Sequence, residues 1–418
     1  MNPDLLKEII LEQKELQSVP SDLFERDILK KIEPLKRTND AVIITGIRRC
    51  GKSTAMQQLR KQFKHADYCF SFDDERLEPF QLTDFQILHE MFVELFGVQN
   101  LFFFDEIQNI QGWERFIRRL HNQGEKIYIT GSNATLFSRE LGTRLTGRSV
   151  QVEMYPYSFR EYVQHYQPEI LKAKVYSTQQ KGIAQRLFSQ YLDLGGIPEY
   201  IRFGEKSYLQ SLYQGILYRD IISRHHLTSE DAIKKLVLYL ASHVGKEFSY
   251  SETARVIGLA SASTVSDYCS YLQECYLCFF VNRYSHSLNK QLLYHKKCYF
   301  IDHALARLVG FRPTEDRGRL FENVVFLELK RRGEEIYFHK EKKECDFVVR
   351  REGRIDQSFQ VCTFFSSPET KQREIDGLVE AMQTYSLNQG VILTEHHEES
   401  IQVPEGIINI MPIWKWLL

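Results

Sequence analysis

Two glycines five positions apart, the second followed at once by a lysine and a serine, open the most chemically specific stretch of this chain: Gly46, Ile47, Arg48, Arg49, Cys50, Gly51, Lys52 and Ser53, with Thr54 next. Glycine lets successive backbone N–H groups turn inward, where they can hold phosphate oxygens. A lysine at position 52 then reaches the β and γ phosphates, and the Ser53 hydroxyl is the expected ligand of Mg²⁺. The pattern therefore predicts a loop that cradles ATP with Mg²⁺. A second centre closes the stretch LFFFDE. Asp105 is expected to hold the metal's water shell with Ser53, and Glu106 to orient and deprotonate the attacking water. Further on, Gly131-Ser132-Asn133 ends a third apolar run. A polar group there can sense the γ-phosphate; Asn133 is taken for the role, although Ser132 is not separable from it and both are also good helix caps. Arg144 and Arg148 lie four apart and would share a face if helical. Arg148 is the expected finger, supplied by a neighbouring copy, which implies a homo-oligomer. Asp73, Asp74 and Glu75 fall after another short run, either near the metal or in a solvated loop.

These residues need a scaffold that presents them together. Ala41 to Thr45 is a β-branched run that reads as a buried parallel strand, and TAMQQLRKQF continues the loop as a helix. Leu101 to Phe104 is a second fully apolar strand whose end presents Asp105. Ligands of open α/β sheets bind at the carboxyl ends of strands, so the reading is an α/β fold with a parallel sheet.

Composition bounds the alternatives. The chain has 418 residues, enough for about two to four compact units. With 54 basic against 55 acidic residues, there is no overall basic excess of the kind nucleic-acid binders show. The first residues read as an amphipathic helix rather than a signal peptide, and no uncharged apolar run approaches the length of a membrane span. Eight scattered cysteines suit a reducing compartment, so a cytoplasmic protein is expected. Cys275 and Cys278 have the spacing of half a zinc site, but their apolar setting reads as core.

Taken together, TGIRRCGKST, FDDERL, FFFDEIQNIQGW, ITGSNA, LTGR with YPYSFREY, LGGIPEYI, YRDII, YFIDHAL and a block from Glu322 to Asp346 make the chain resemble a family of prokaryotic AAA-type ATPases. In that family an ATPase module is joined to a C-terminal domain with a restriction-endonuclease-like, PD-(D/E)XK core. The resemblance implies ATP hydrolysis coupled to a conformational change in a larger assembly, with an unidentified protein partner. It implies an N-terminal helix over 1–25, an ATPase domain over 26–155, a helical lid over 156–246, a winged helix over 247–302 and a nuclease-like domain over 303–418. It also puts an adenine contact on Gly196-Ile197-Pro198, with a plain proline turn as the alternative.

The residues themselves argue against nucleic acid. The would-be recognition helix, from Ser263 to Glu274, carries Asp267 and Glu274 and no cation, whereas phosphate contacts need cations. Arg283, Lys290, Lys296 and Lys297 near the wing are the available supply. At the C-terminal end, helix, three strands, helix and strand follow in the nuclease-like order. Glu322 and Asp346 fit its acids, yet Gln360-Val361-Cys362 stands where acid-x-lysine is needed. No DNA cleavage is expected, unless Lys340, Lys342 or Lys343 substitutes in space. A DNA-remodelling motor and a slow nucleotide-gated switch are the two rival readings.

Overall fold

Ala41–Thr45 forms β1, buried at every residue. The computed structural model describes residues 1–16, 23–132, 145, 147–173, 175–311 and 317–418. They divide into one unit of Met1–Pro156 with Glu274–Tyr276, and a second of Tyr157–Gln273 with Leu277–Leu418.

In the first unit, β2 (Tyr68–Ser71), β3 (Leu101–Asp105), β4 (Lys126–Gly131) and β5 (Ser149–Glu153) join β1 in the order β2-β3-β4-β1-β5, every pairing parallel. A parallel sheet covered on both faces explains why β1 and β3 are continuous hydrophobic runs rather than alternating ones. Helices Asp84–Phe96 and Trp113–Asn122 bury Phe85, Phe92 and Phe116 against Phe70, Phe72, Phe102 and Phe104. Phe85 and Phe116 stack with ring centroids 4.5 Å apart. Each such side chain contributes about 1.5–3 kcal/mol by burial. The N-terminal helix, Pro3–Glu15, is capped by Asn2 and sinks Leu6, Ile9 and Ile10 into the same core. The register matters for chemistry: Thr45 lies opposite Gly131 and Asp105 opposite Thr130, so β4 brings the ends of β1 and β3 to one edge.

The second unit begins with helices, among them Phe159–Tyr166, Thr178–Leu194, Pro198–Phe203 and Glu230–Ser242. Helices Tyr250–Ile257 and Ala262–Glu274 follow, with β6 (Glu247–Phe248), β7 (Cys278–Asn282) and β8 (Lys296–Phe300) in an antiparallel sheet ordered β6-β8-β7. The C-terminal part runs helix Arg317–Arg331, β9 (Glu335–Lys340), β10 (Glu344–Arg351), β11 (Arg354–Val361), helix Pro368–Tyr385 and β12 (Gln389–Thr394). After these come β13 (Glu399–Val403) and β14 (Gly406–Pro412). The six strands are ordered β13-β14-β12-β11-β10-β9, with β9, β10 and β11 antiparallel and β12 parallel to β11. Cys275 and Cys278 are both buried, as their apolar setting suggests. Among the described residues no helix is long and apolar enough to cross a membrane.

Candidate nucleotide-binding site

The loop after β1 turns on positions that side chains tolerate poorly. A Cβ on Gly46 would stand 2.1 Å from the Met154 carbonyl oxygen, so only glycine fits there. Gly51 has φ +94° and Arg49 φ +60°, in the left-handed region. Lys52 then starts helix Lys52–Arg60. Its side chain is buried and its ammonium donates to the carbonyls of Gly46 and Ile47, both at 3.1 Å. That is a folded-back lysine lying inside its own phosphate loop. The Glu106 carboxylate is 3.7 Å from the same ammonium.

The end of β3 is arranged as tightly. Asp105 accepts a hydrogen bond from the Thr130 hydroxyl, and the Ser53 hydroxyl also favours its ionised form. Burial first, and the neighbouring Glu106 charge second, push the Asp105 carboxyl above the ordinary carboxylate range, while Thr130, Ser53 and Lys52 pull it down. Glu106 holds φ +51°, an uncommon conformation for a non-glycine residue and one that concentrates at functional sites. Its backbone N–H donates to the Thr130 carbonyl at 3.1 Å, and its carboxylate accepts from Ser132 Oγ at 3.1 Å and from Gln108. Lys52, Ser53, Asp105, Glu106 and Ser132 thus share one edge of the sheet.

Other expected residues fare differently. Asn133 and Arg144 lie outside the described residues. The segment after Arg148 is a strand, not a helix, and the Arg148 carbonyl accepts from Ala41 at the start of β1. Because β1 and β5 are parallel, Arg148 stands at the edge of the sheet opposite the phosphate loop. Asp74 caps the turn Glu75–Leu77 and pairs with Arg76 at 2.8 Å, and the Arg76 hydrogen bond holds its carboxyl below the usual range. Pro198 is the first residue of helix Pro198–Phe203 in the second unit. Just before it, the Gly196 N–H donates to Asp302 Oδ2 at 2.6 Å.

Sequence reasoning missed Arg26. Almost fully buried, it donates to the Cys50 carbonyl at 2.8 Å and the Tyr155 carbonyl at 2.6 Å, tying the phosphate loop to the end of β5. It also missed Lys297, taken above as a wing cation. Lys297 is 1% exposed, and its ammonium meets Glu344 at 2.8 Å and Glu322 and Asp346 at 3.3 Å. Burial alone would lower its pKa, but Glu322, Tyr299, Asp346 and Glu344 hold it well up. Burial and then Glu322 push the Asp346 carboxyl up to about 7, with Lys297 pulling the other way. Of the lysines expected to reach this centre, Lys340 bridges Glu247 and Glu344, and Lys343 pairs with Asp376 at 3.6 Å. The only local signal for Lys297 was its place in an otherwise apolar strand run, KKCYFI.

A glycine-dependent loop at the end of a buried strand, with an acidic pair at the same edge of a parallel sheet, is the arrangement of a P-loop nucleotide-binding domain. Residues 38–163 match the model of an AAA domain family, and residues 185–315 that of a domain of unknown function, DUF8612. The chain belongs to the family of an uncharacterized protein of Methanocaldococcus jannaschii, MJ1544, to which it is 31% identical over 99% of its own length and 95% of the relative's. An uncharacterized protein of Haemophilus influenzae is 29% identical over 93% of this chain and 97% of that one. Among solved structures, the Thermotoga maritima RuvB Holliday junction branch migration motor is 16% identical, covering 66% of this chain and 98% of that one, at a TM-score of 0.29. AMPPCP-bound DnaA from Aquifex aeolicus is 15% identical over 59% and 86%, at 0.26. Likenesses at those scores say nothing more about this chain.

Proposed function

We propose that the chain binds Mg²⁺-ATP on Gly46–Thr54, hydrolyses it, and couples turnover to a conformational change in a larger assembly. The observation that carries this reading is the convergence of Lys52, Ser53, Asp105 and Glu106 at one sheet edge beside a loop whose Gly46 admits no side chain. The residues fit the absent group. Lys52 now spends its ammonium on two loop carbonyls, bonds that β- and γ-phosphate oxygens can replace. The Ser53 hydroxyl lies close enough to favour the ionised form of Asp105, as suits two ligands of one metal shell. When bound, Mg²⁺ would supply positive charge to the phosphate oxygens. Glu106, steadied by Ser132 and Gln108, accepts the proton of the attacking water. Ser132 thereby supports the polar role first given to Asn133. Arg148 serves as a finger only for a neighbouring copy, because its own phosphate loop lies at the other sheet edge.

The remaining modules are read as a helical lid with its adenine contact at Pro198, a winged helix used for docking, and a nuclease-like core that does not cut. The exposed residues of helix Ala262–Glu274 are Ser263, Asp267, Ser270 and Gln273, which offer DNA no cation. Lys297, one of the cations counted for the wing, is buried. ATPase rate measured with and without duplex DNA across a salt series tests the choice. An unchanged rate is expected; strong stimulation that fades steeply with salt would favour the DNA motor instead.

A further inference from the structure

Strand β8 carries a lysine into the place where the C-terminal sheet gathers its acids. Glu322 comes from helix Arg317–Arg331, while Glu344 and Asp346, two apart on β10, face the same way. All three reach the Lys297 ammonium, at 3.3, 2.8 and 3.3 Å. An ammonium has three N–H donors, one for each acid. The rest of the centre is also occupied. Tyr299 donates to Glu322, and the Val361 N–H to Asp346 Oδ2 at 2.9 Å. Gln360, where an acid would be needed, accepts from the Asp346 N–H at 3.1 Å and donates to Glu374 at 2.6 Å.

Neither half of this arrangement is stable alone. A buried ammonium without partners is strongly disfavoured, and three carboxylates around one point repel unless a cation sits among them. Oxygen ligands of this kind, two on a strand and one on a helix, are what a hard divalent ion collects. We propose that Lys297 is a built-in cation: its ammonium takes the position of a divalent metal among Glu322, Glu344 and Asp346 and closes this centre to metal. The comparison with a metal centre rests on the nuclease-like reading given above. The ion pairs span 2.8–3.3 Å, longer than the roughly 2.0–2.2 Å of a small divalent ion, so the acids must draw inward once the ammonium is gone.

Manganese uptake, read by electron paramagnetic resonance on the full chain without nucleotide, tests the proposal. An Asp105→Asn background keeps the phosphate-loop metal position out of the count. That parent is expected to take up no Mn²⁺. Adding Lys297→Gln creates one site, and Asp346→Asn on top of it weakens that site at least about tenfold. Mn²⁺ should also raise the melting temperature of the Lys297→Gln chain and leave the parent's unchanged. Should Lys297→Gln not fold alone, refolding on addition of Mn²⁺, followed by circular dichroism, is the equivalent positive result. The proposal is overturned by Asp346-dependent Mn²⁺ uptake in the parent. It is equally overturned by a Lys297→Gln chain that gains no site, or that stays unfolded with Mn²⁺. Plasmid cleavage by the unsubstituted chain, lost in Asp346→Ala, would instead sink the non-cleaving reading of the domain, a separate readout.

Discussion

The phosphate loop and the C-terminal acid centre use the same residue types to opposite ends. Each sets one buried lysine beside carboxylates. At the loop, Lys52 rests on two backbone carbonyls, with Glu106 at 3.7 Å, and glycine-dependent turns leave its partners exchangeable. In the second centre Lys297 is shared among three acids, one on helix Arg317–Arg331 and two on β10. The contrast is that Lys52 hydrogen-bonds to backbone carbonyls and stands farther from its carboxylate, whereas Lys297 meets three carboxylates directly. Weakly held partners can be traded for phosphate; a saturated ammonium has nothing left to give.

Breaking the loop side of this contrast should have the largest effect. Glu106→Gln keeps the side chain's size and one oxygen for Ser132 and Gln108, but removes its basicity and the charge facing Lys52. ATP binding should survive while hydrolysis slows about 10²–10⁴-fold, the usual worth of a positioned base. Single-turnover hydrolysis measures it, and a variant as fast as the unsubstituted chain would reassign the base. Arg26→Ala comes next. It leaves the Cys50 and Tyr155 carbonyls without their charged donor and should cost about 1.5–3 kcal/mol. The chemical-denaturation midpoint should fall and nucleotide affinity with it, whereas an unchanged affinity would detach Arg26 from the loop's shape.

The smallest effect sharpens the closed side. Burial and the Glu322 charge raise the Asp346 carboxyl to about 7 in the fold, above its ordinary range in the unfolded chain. Between those limits the folded state binds more protons, so this group's contribution to stability falls as pH rises toward 7. Asp346→Asn should therefore gain most, relative to the unsubstituted chain, at pH 7 and above, and the gain should shrink toward pH 5. Melting temperatures of the pair across that range check the trend; a constant offset would contradict it.

What could be read from the sequence follows from where the chemistry is written. The phosphate loop and Asp105-Glu106 are runs of consecutive residues, each at the end of a β-branched or aromatic strand, so motif and scaffold appear in one window. The helix–strand order from Arg317 to Thr394 was legible for the same reason. Arg26 and Lys297 were not, because their partners lie far along the chain: Tyr155 is 129 positions from Arg26, and Asp346 is 49 from Lys297. Arg148 leads into β5, and its backbone carbonyl accepts from Ala41 at the far end of the sheet, a placement that depends on strand pairing and not on local spacing.

Every role proposed for Lys52, Asp105 and Glu106 depends on capture of a triphosphate by the Gly46–Ser53 loop. Isothermal titration of the folded chain with ATP in Mg²⁺ tests that most directly. Saturable one-site binding that disappears in Lys52→Ala is the expected result. A folded chain that gives no heat, or a Lys52→Ala variant that binds as tightly as the unsubstituted one, would contradict it.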